Sequence, residues 1–535
     1  MGSLSLKEPG AAAAREAVVP IGSPRTFARS LVGSDATLVA SLAAAVCFLH
    51  FLVNGRYGYF RDELYYAACG EHLAWGYVDH APLVALVARF SRWLLGDSLF
   101  ALRFFPALAS AAKVLLTGWM VRELGGRRFA LILATTTAFM APIYLTFDNF
   151  LSMNAFEPVF WMLCAALTMR IVHRGDARLW LLFGLVAGLG LLNKHSMLFF
   201  GFGLFLGLLL TPGRRFFRER WIWLGGLLAF AIFLPNLLWE ARYGWPTVEF
   251  LRGAVETKNA LVTPFQFILQ QTFLIHPLAA PICLAGLYFF LRARDAKPYR
   301  FLGWTYLFVL AQLLILKGKI YYLAPIYPML FAAGAVGIET RFRERHWSWM
   351  KPVILVPLVV GGIVAAPLAL PLLPVEAMAA YSRFWNVGEV KVEKGELGKL
   401  PQLWADMFGW ENQVATIARV YRSLPPEEQA RCALLAGNYG EAGAIDYLGR
   451  AYGLPKAISG INNYYLWGPR NYTGEVVISV GIPLEQLQEL FGQVEQAALI
   501  VHEYAVPEES NLPVYVCRKP KRPLPQAWPK LKCYG

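Results

Sequence analysis

Asp62, Glu63, Glu71 and Asp79 crowd into the stretch from Tyr57 to Pro82, together with His72, His80 and many aromatic residues. A long apolar run precedes this stretch and others follow it, so its charges sit at the water edge of a bilayer. A carboxylate held there can accept the proton of a hydroxyl nucleophile as a new bond forms. Asp62 is the first candidate for that base. It also reads as the N-cap of a helix beginning Glu63-Leu64-Tyr65, because Asp is a favoured cap; the two roles are compatible. Asp79-His80, ahead of Ala81-Pro82, reads as a turn, as a second acid, or with His72 as metal ligands. Two histidines and one acid without fixed spacing are a weak metal signal. No metal site is assigned, and a divalent ion stays an alternative.

A second group of polar residues surrounds later apolar runs. Asp148 reads as a helix cap or an interfacial anchor, or as a further catalytic acid with Asn154 close by. Glu157 lies more than a turn inside an apolar segment, where an acid is costly and faces a cavity or a partner. Lys194 and His195 fall between two short apolar segments. Lys317 and Lys319 precede Tyr321 and Tyr322. These lysines read as snorkelling side chains beside an aromatic belt, or as cations that stabilise a phosphate or pyrophosphate leaving group. Arg103, near the same face, joins them as a binding candidate. Lys113 falls mid-helix and calls for a polar cavity or a packing partner. His276-Pro277 reads as a kink.

The elements that position these residues are helices through a membrane. The chain is 57% hydrophobic and 16% charged over 535 residues, well to the apolar side of soluble proteins. Apolar runs of about 18 residues or more read as spans. Eleven are expected, near 36–53, 99–121, 129–146, 152–169, 179–193, 197–212, 221–239, 265–291, 301–316, 320–338 and 352–373. Within the first loop, 64–75 reads as a short helix and 83–95 as an amphipathic one lying along the interface. With the N-terminus in the cytoplasm, each short inner loop carries three or four Lys or Arg, whereas the short outer loops hold none, then Lys194, then Lys317 and Lys319. That asymmetry follows the positive-inside rule. It puts Asp62, Asp79, His80, Asp148, Lys194, Lys317 and Lys319 together on the outer side. The net charge of +14 is therefore a matter of topology, and no nucleic-acid partner is expected.

Residues 1–34 read as a disordered cytoplasmic tail without a cleavable signal, 35–375 as the membrane domain, and 376–535 as an external α/β domain. In the last, 413–423, 441–452 and 484–491 look helical, and 432–436, 476–480, 498–502 and 514–517 look like strands. The stretch 459–471, with Asn462, Asn463, Tyr464, Tyr465 and Trp467, reads as a surface loop or a sugar-stacking one. One disulfide is allowed there, with Cys517 and Cys533 the nearest pair in sequence.

Five motifs in order resemble one family: Arg61-Asp62-Glu63-Leu64-Tyr65-Tyr66, Tyr77-Val78-Asp79-His80-Ala81-Pro82-Leu83, Arg103-Phe104-Phe105-Pro106, Gly188-Leu189-Gly190-Leu191-Leu192-Asn193-Lys194, and Lys319-Ile320-Tyr321-Tyr322-Leu323-Ala324-Pro325. Over roughly 36–340 the chain resembles bacterial members of the dolichyl-phosphate-mannose-protein mannosyltransferase family, glycosyltransferase family 39, with the aminoarabinose transferases as relatives. The resemblance implies a polytopic GT-C membrane fold and inverting transfer from a polyprenyl-phosphate sugar to an acceptor hydroxyl on a protein, lipid or glycan. It also implies the inner (plasma) membrane as location. It maps the catalytic acid to Asp62 in its Asp-Glu pair, and puts Lys194 and Lys319 beside the lipid phosphate. Relatives often carry Asp where this chain has Asn154, so Asp148 and Glu157 are the candidates to replace it. The rival reading is a transporter or flippase of lipid-linked glycans, which favours inverted repeats and helices broken at mid-membrane.

Overall fold

The computed structural model describes residues 33–257, 262–387 and 398–534; the tail expected at 1–34 lies almost wholly outside them. Helices dominate up to residue 387. Among the described residues six are long and apolar enough to cross a membrane: Ser34–Val53, Leu99–Glu123, Met153–Arg174, Arg220–Arg242, Ile320–Glu344 and Met350–Ala369. Two further pairs would span only as broken units, bringing the total to eight. Helices Leu179–Asn193 and Arg300–Ile315 fall where expected but are short.

Three departures shape the interior. The segment expected as one helix over 129–146 is split into Arg128–Met140 and Pro142–Phe147, because Pro142 has no N–H to continue the ladder. The kink expected at His276 is a full break. Pro264–Leu274 and Ala279–Arg292 are bent by 109°, with His276 in the left-handed region at φ 86°. Beyond Leu209 the chain turns by 105° into the short helix Pro212–Arg218. The break at Lys194 is where the sequence places it, between Leu179–Asn193 and Met197–Leu209.

The first loop folds into helices Arg61–Glu71 and Leu83–Leu95. The first begins three residues earlier than expected, and Glu63 is the reason: its carboxylate accepts the Phe60 N–H at 2.8 Å, as in a capping box. Asp62 is therefore not the N-cap. It stands in the first turn, where the helix dipole still favours an acid.

The C-terminal part is a five-stranded sheet with helices. The strands are β1 (Cys432–Ala436), β2 (Ala457–Ser459), β3 (Val476–Val480), β4 (Phe491–Ile500) and β5 (Leu512–Pro520), in the order β2-β1-β3-β5-β4. β2, β1 and β3 run parallel; β5 is antiparallel to β3 and β4. The short β2 is not expected from the sequence, and β4 is expected only near its end, over 498–502, with its first residue assigned to a helix. One face of the sheet buries Leu434, Ile478 and Val516 in the same core as Tyr65, Tyr66, Cys69 and Tyr77 of the first loop. The expected surface loop at 459–471 is turned inward onto that loop: the Asn463 side-chain oxygen accepts the Val78 N–H at 2.7 Å. Cys517 and Cys533 are both free thiols.

Inside this domain two acids meet. Glu441 accepts the N–H groups of Gly437 and Asn438 at 2.7 and 3.1 Å, and its carboxyl contacts that of Glu509. Burial pushes the Glu441 carboxyl well above its ordinary value and the neighbouring Glu509 charge adds to the rise. A carboxyl raised on folding contributes its stability in full below the ordinary value, and loses it as pH climbs through the folded value. The midpoint of thermal unfolding of the full chain should thus fall as pH rises above the ordinary Glu range, and fall less steeply in Glu441→Gln. An unchanged slope in that variant would contradict the raised Glu441 carboxyl.

Candidate active site

Asp62 lines a cavity of roughly 270 Å³ between residues of the helical part and of the C-terminal domain. Its walls come from three sources. Arg61 and Asp62 come from the first loop. Phe147, Phe150, Asn154, Phe273, Leu274 and Tyr321 come from the membrane helices, and Gln402, Asp406 and Tyr439 from the C-terminal domain. The lining is mostly apolar, and its two acids, Asp62 and Asp406, meet around Arg61. There the Tyr439 hydroxyl donates to Asp62 at 3.2 Å, and Arg61 reaches Asp406.

A second polar group reaches the cavity through Asn154. The Lys194 ammonium donates to Asn154 and to Glu157, each at 2.8 Å, and sits 4.4 Å from the centre of the Tyr322 ring. Ser196 holds the other Glu157 oxygen. Asn154 stands on the first turn of Met153–Arg174, capped by the Ser152 hydroxyl accepting the Asn154 N–H at 3.1 Å. The break before Met197 is what brings Lys194 inward to meet it. A lysine so placed keeps a buried acid compensated in the membrane and remains within one side chain of the cavity wall.

Other expected site residues are committed elsewhere. Glu63 and Arg103 are both fully buried and form a two-pronged ion pair at 3.0 and 2.9 Å. Glu63 also accepts the Leu151 N–H at 2.9 Å. Arg103 also donates to the carbonyls of Asn54 and Gly58 at 3.1 and 2.8 Å. With these partners, neither side chain faces the cavity, and the geometry assigns both to holding the loop. Asp148 is buried against Lys113, which supplies the packing partner that Lys113 called for; it does not line the cavity. Asp79 accepts from the Tyr65 hydroxyl at 3.0 Å. His80 is buried among Tyr65, Tyr66 and Tyr77, and burial pushes its imidazole below its ordinary value. His195 bonds Asn236 at 3.0 Å. Lys317 is exposed on a left-handed turn at φ 51° and Lys319 is half-buried; the cavity is reached from this segment by Ile320 and Tyr321. No group of three or more His, Cys, Asp or Glu is placed to hold a metal among the described residues.

The residues that sequence reasoning passed over are Gln402, Asp406 and Tyr439. A signal was present for the last. Asn438 and Glu441 have the spacing of a capping box, which fixes a helix start at Tyr439.

The motif resemblance stands. Residues 79–239 match the family described as dolichyl-phosphate-mannose-protein mannosyltransferase. No curated protein sequence matches the chain. Among solved structures, ArnT from Cupriavidus metallidurans in the apo state is 16% identical, with a TM-score of 0.61 over 92% of this chain and 98% of that one. The same protein bound to undecaprenyl phosphate is also 16% identical, with a TM-score of 0.58 over 90% of this chain and 97% of that one. The likeness spans nearly all of both chains and shows a shared GT-C fold.

Proposed function

We propose that this chain, built like ArnT and carrying the mannosyltransferase motifs, moves a sugar from a polyprenyl-phosphate donor to an acceptor hydroxyl on the outer face of the membrane. One observation carries the reading: Asp62 and Asn154 line the same mostly apolar cavity, and Lys194 bonds Asn154. The apolar wall suits a prenyl chain, and Lys194 suits its phosphate. That ArnT has been crystallised with undecaprenyl phosphate supports the choice of donor.

In this mechanism Asp62 takes the proton of the acceptor hydroxyl. The hydroxyl oxygen attacks the anomeric carbon from the face opposite the lipid. The bond from that carbon to the phosphate oxygen breaks with inversion, and polyprenyl phosphate leaves with its charge beside Lys194. Tyr321 and Gln402 border the sugar. Asp148 and Glu157 serve structure and electrostatics. We place the N-terminus inside, the domain from about 376 outside, and complete eleven spans with the short and bent helices, in the inner membrane.

The bent pair around His276 is what the fold shares with transporters, and its Phe273 and Leu274 line the cavity. A flippase would move its lipid-linked glycan intact. Protein reconstituted with a polyprenyl-phosphate sugar and envelope acceptors should instead release free polyprenyl phosphate, measured by lipid chromatography. Translocation without release would sink the transferase reading.

Lys194 offers a second check. Its removal costs donor binding and also strands a buried acid, so the two effects need separating. Lys194→Gln should weaken donor binding by about ten-fold or more, as expected for a lost charge-assisted hydrogen bond, and should lower stability. Adding Glu157→Gln should restore the stability but not the binding. Recovery of donor binding in the double variant would remove Lys194 from the phosphate site.

A further inference from the structure

Beyond the membrane residues, the C-terminal domain reaches Asp62 itself. The helix Tyr439–Leu448 lies against Arg61–Glu71 with almost no space between the backbones. A Cβ on Gly440 would stand 2.5 Å from the Arg61 Cγ, and one on Gly443 would stand 2.8 Å from the Leu64 carbonyl carbon. Two glycines three residues apart make one bare face on the helix, and the first loop fills it. The seat is fixed from behind as well. The Asn438 side-chain oxygen accepts the N–H groups of Gly440 and Glu441 at 2.9 and 3.0 Å. Its amide nitrogen donates to Glu509 at 2.7 Å. The Tyr439 ring rests 5.0 Å from that of Tyr65.

Taking Asp62 as the base of the proposed reaction, we infer that Tyr439 is its positioning residue: the C-terminal domain completes the active site by holding the Asp62 carboxylate through the tyrosine hydroxyl. A phenol donating to a carboxylate stabilises the ionised form and fixes the plane in which the base meets the acceptor. The charged and titratable groups facing the pair are Arg61, Tyr65 and Tyr66 on the same helix, Asp79 bonded to Tyr65, and Asp406 and Glu509 from the C-terminal side, both drawn to Arg61. Without this domain the first loop would keep its aspartate but lose its aim.

Tyr439→Phe removes one O–H and keeps the ring. The acid limb of kcat/KM should move up by about one pH unit, because the carboxylate loses a donor to its charged form. At neutral pH kcat should fall roughly ten-fold, with the donor KM unchanged. Gly443→Ala, which must push the two helices apart, should shift the limb in the same direction while the chain stays folded by thermal unfolding. An unmoved acid limb in Tyr439→Phe, in a protein that Asp62→Asn inactivates, overturns this inference and leaves the general-base reading standing. Transfer that survives Asp62→Asn overturns both. Wild-type turnover in a folded Gly443→Ala would contradict the role given to the domain's seat.

Discussion

Asp62→Asn abolishes transfer while the protein still folds and still binds polyprenyl phosphate: this is the largest effect expected on activity. Asn matches Asp in shape and can keep accepting from the Tyr439 hydroxyl, so packing around the cavity is preserved. What it cannot do is take a proton. Loss of a general base lowers rate by about 10²–10⁴-fold. The donor KM should barely move, because the proposed phosphate contact is Lys194 and not Asp62. A fall in kcat and kcat/KM together, with binding unchanged, is the signature of a contact made in the transition state. Steady-state kinetics with a fixed acceptor and varied donor would read it. Turnover near wild type would remove Asp62 from the chemistry.

The largest effect on stability belongs to Arg103→Ala. Its guanidinium ties four parts of the chain: Glu63, the carbonyls of Asn54 and Gly58, and through Glu63 the N–H of Leu151. Cutting one partner from a buried ion pair leaves the other charged and unpaired, at a cost of about 3–5 kcal/mol. The loss is local first, since the loop that carries Asp62 is what these bonds hold. Arg103→Lys should fail nearly as badly, because a lysine lacks the planar fork that meets Glu63 twice. Replacing Arg103 and Glu63 together by apolar residues of similar volume should recover part of the stability. Unfolding midpoints in detergent would rank the variants. A stable Arg103→Ala with slack transfer alone would instead put Arg103 at the substrate.

Much of this arrangement is legible in the chain, and the rest fails for stated reasons. The helix Leu83–Leu95 can be read to the residue, because Pro82 and Gly96 punctuate an amphipathic run. The break at Lys194 is legible because a cation between two apolar stretches has nowhere to go but a hinge. Asp62 and Glu63, by contrast, look alike in sequence. Which of them is buried in an ion pair and which is left at the cavity depends on Arg103, forty residues beyond Glu63, and no local pattern reveals a partner at that distance. Arg103 itself looks like a phosphate ligand until its five donors are counted against the carbonyls around it. Lys113 and Asp148 each look anomalous alone and explain each other once the helices are packed. The cavity wall from Gln402, Asp406 and Tyr439 is the least legible part. It arises from a domain docking on the first loop, and docking leaves only a faint mark: two glycines three residues apart.

Mass spectrometry of polyprenyl-phosphate sugars and envelope glycans tests the central claim most directly, in cells with the gene, without it, and with the Asp62→Asn form. The account predicts that cells lacking the gene accumulate one polyprenyl-phosphate sugar and lack that sugar's mass on one acceptor. The intact gene should restore both and the Asp62→Asn form neither. Identical lipid and glycan pools in all three would contradict it.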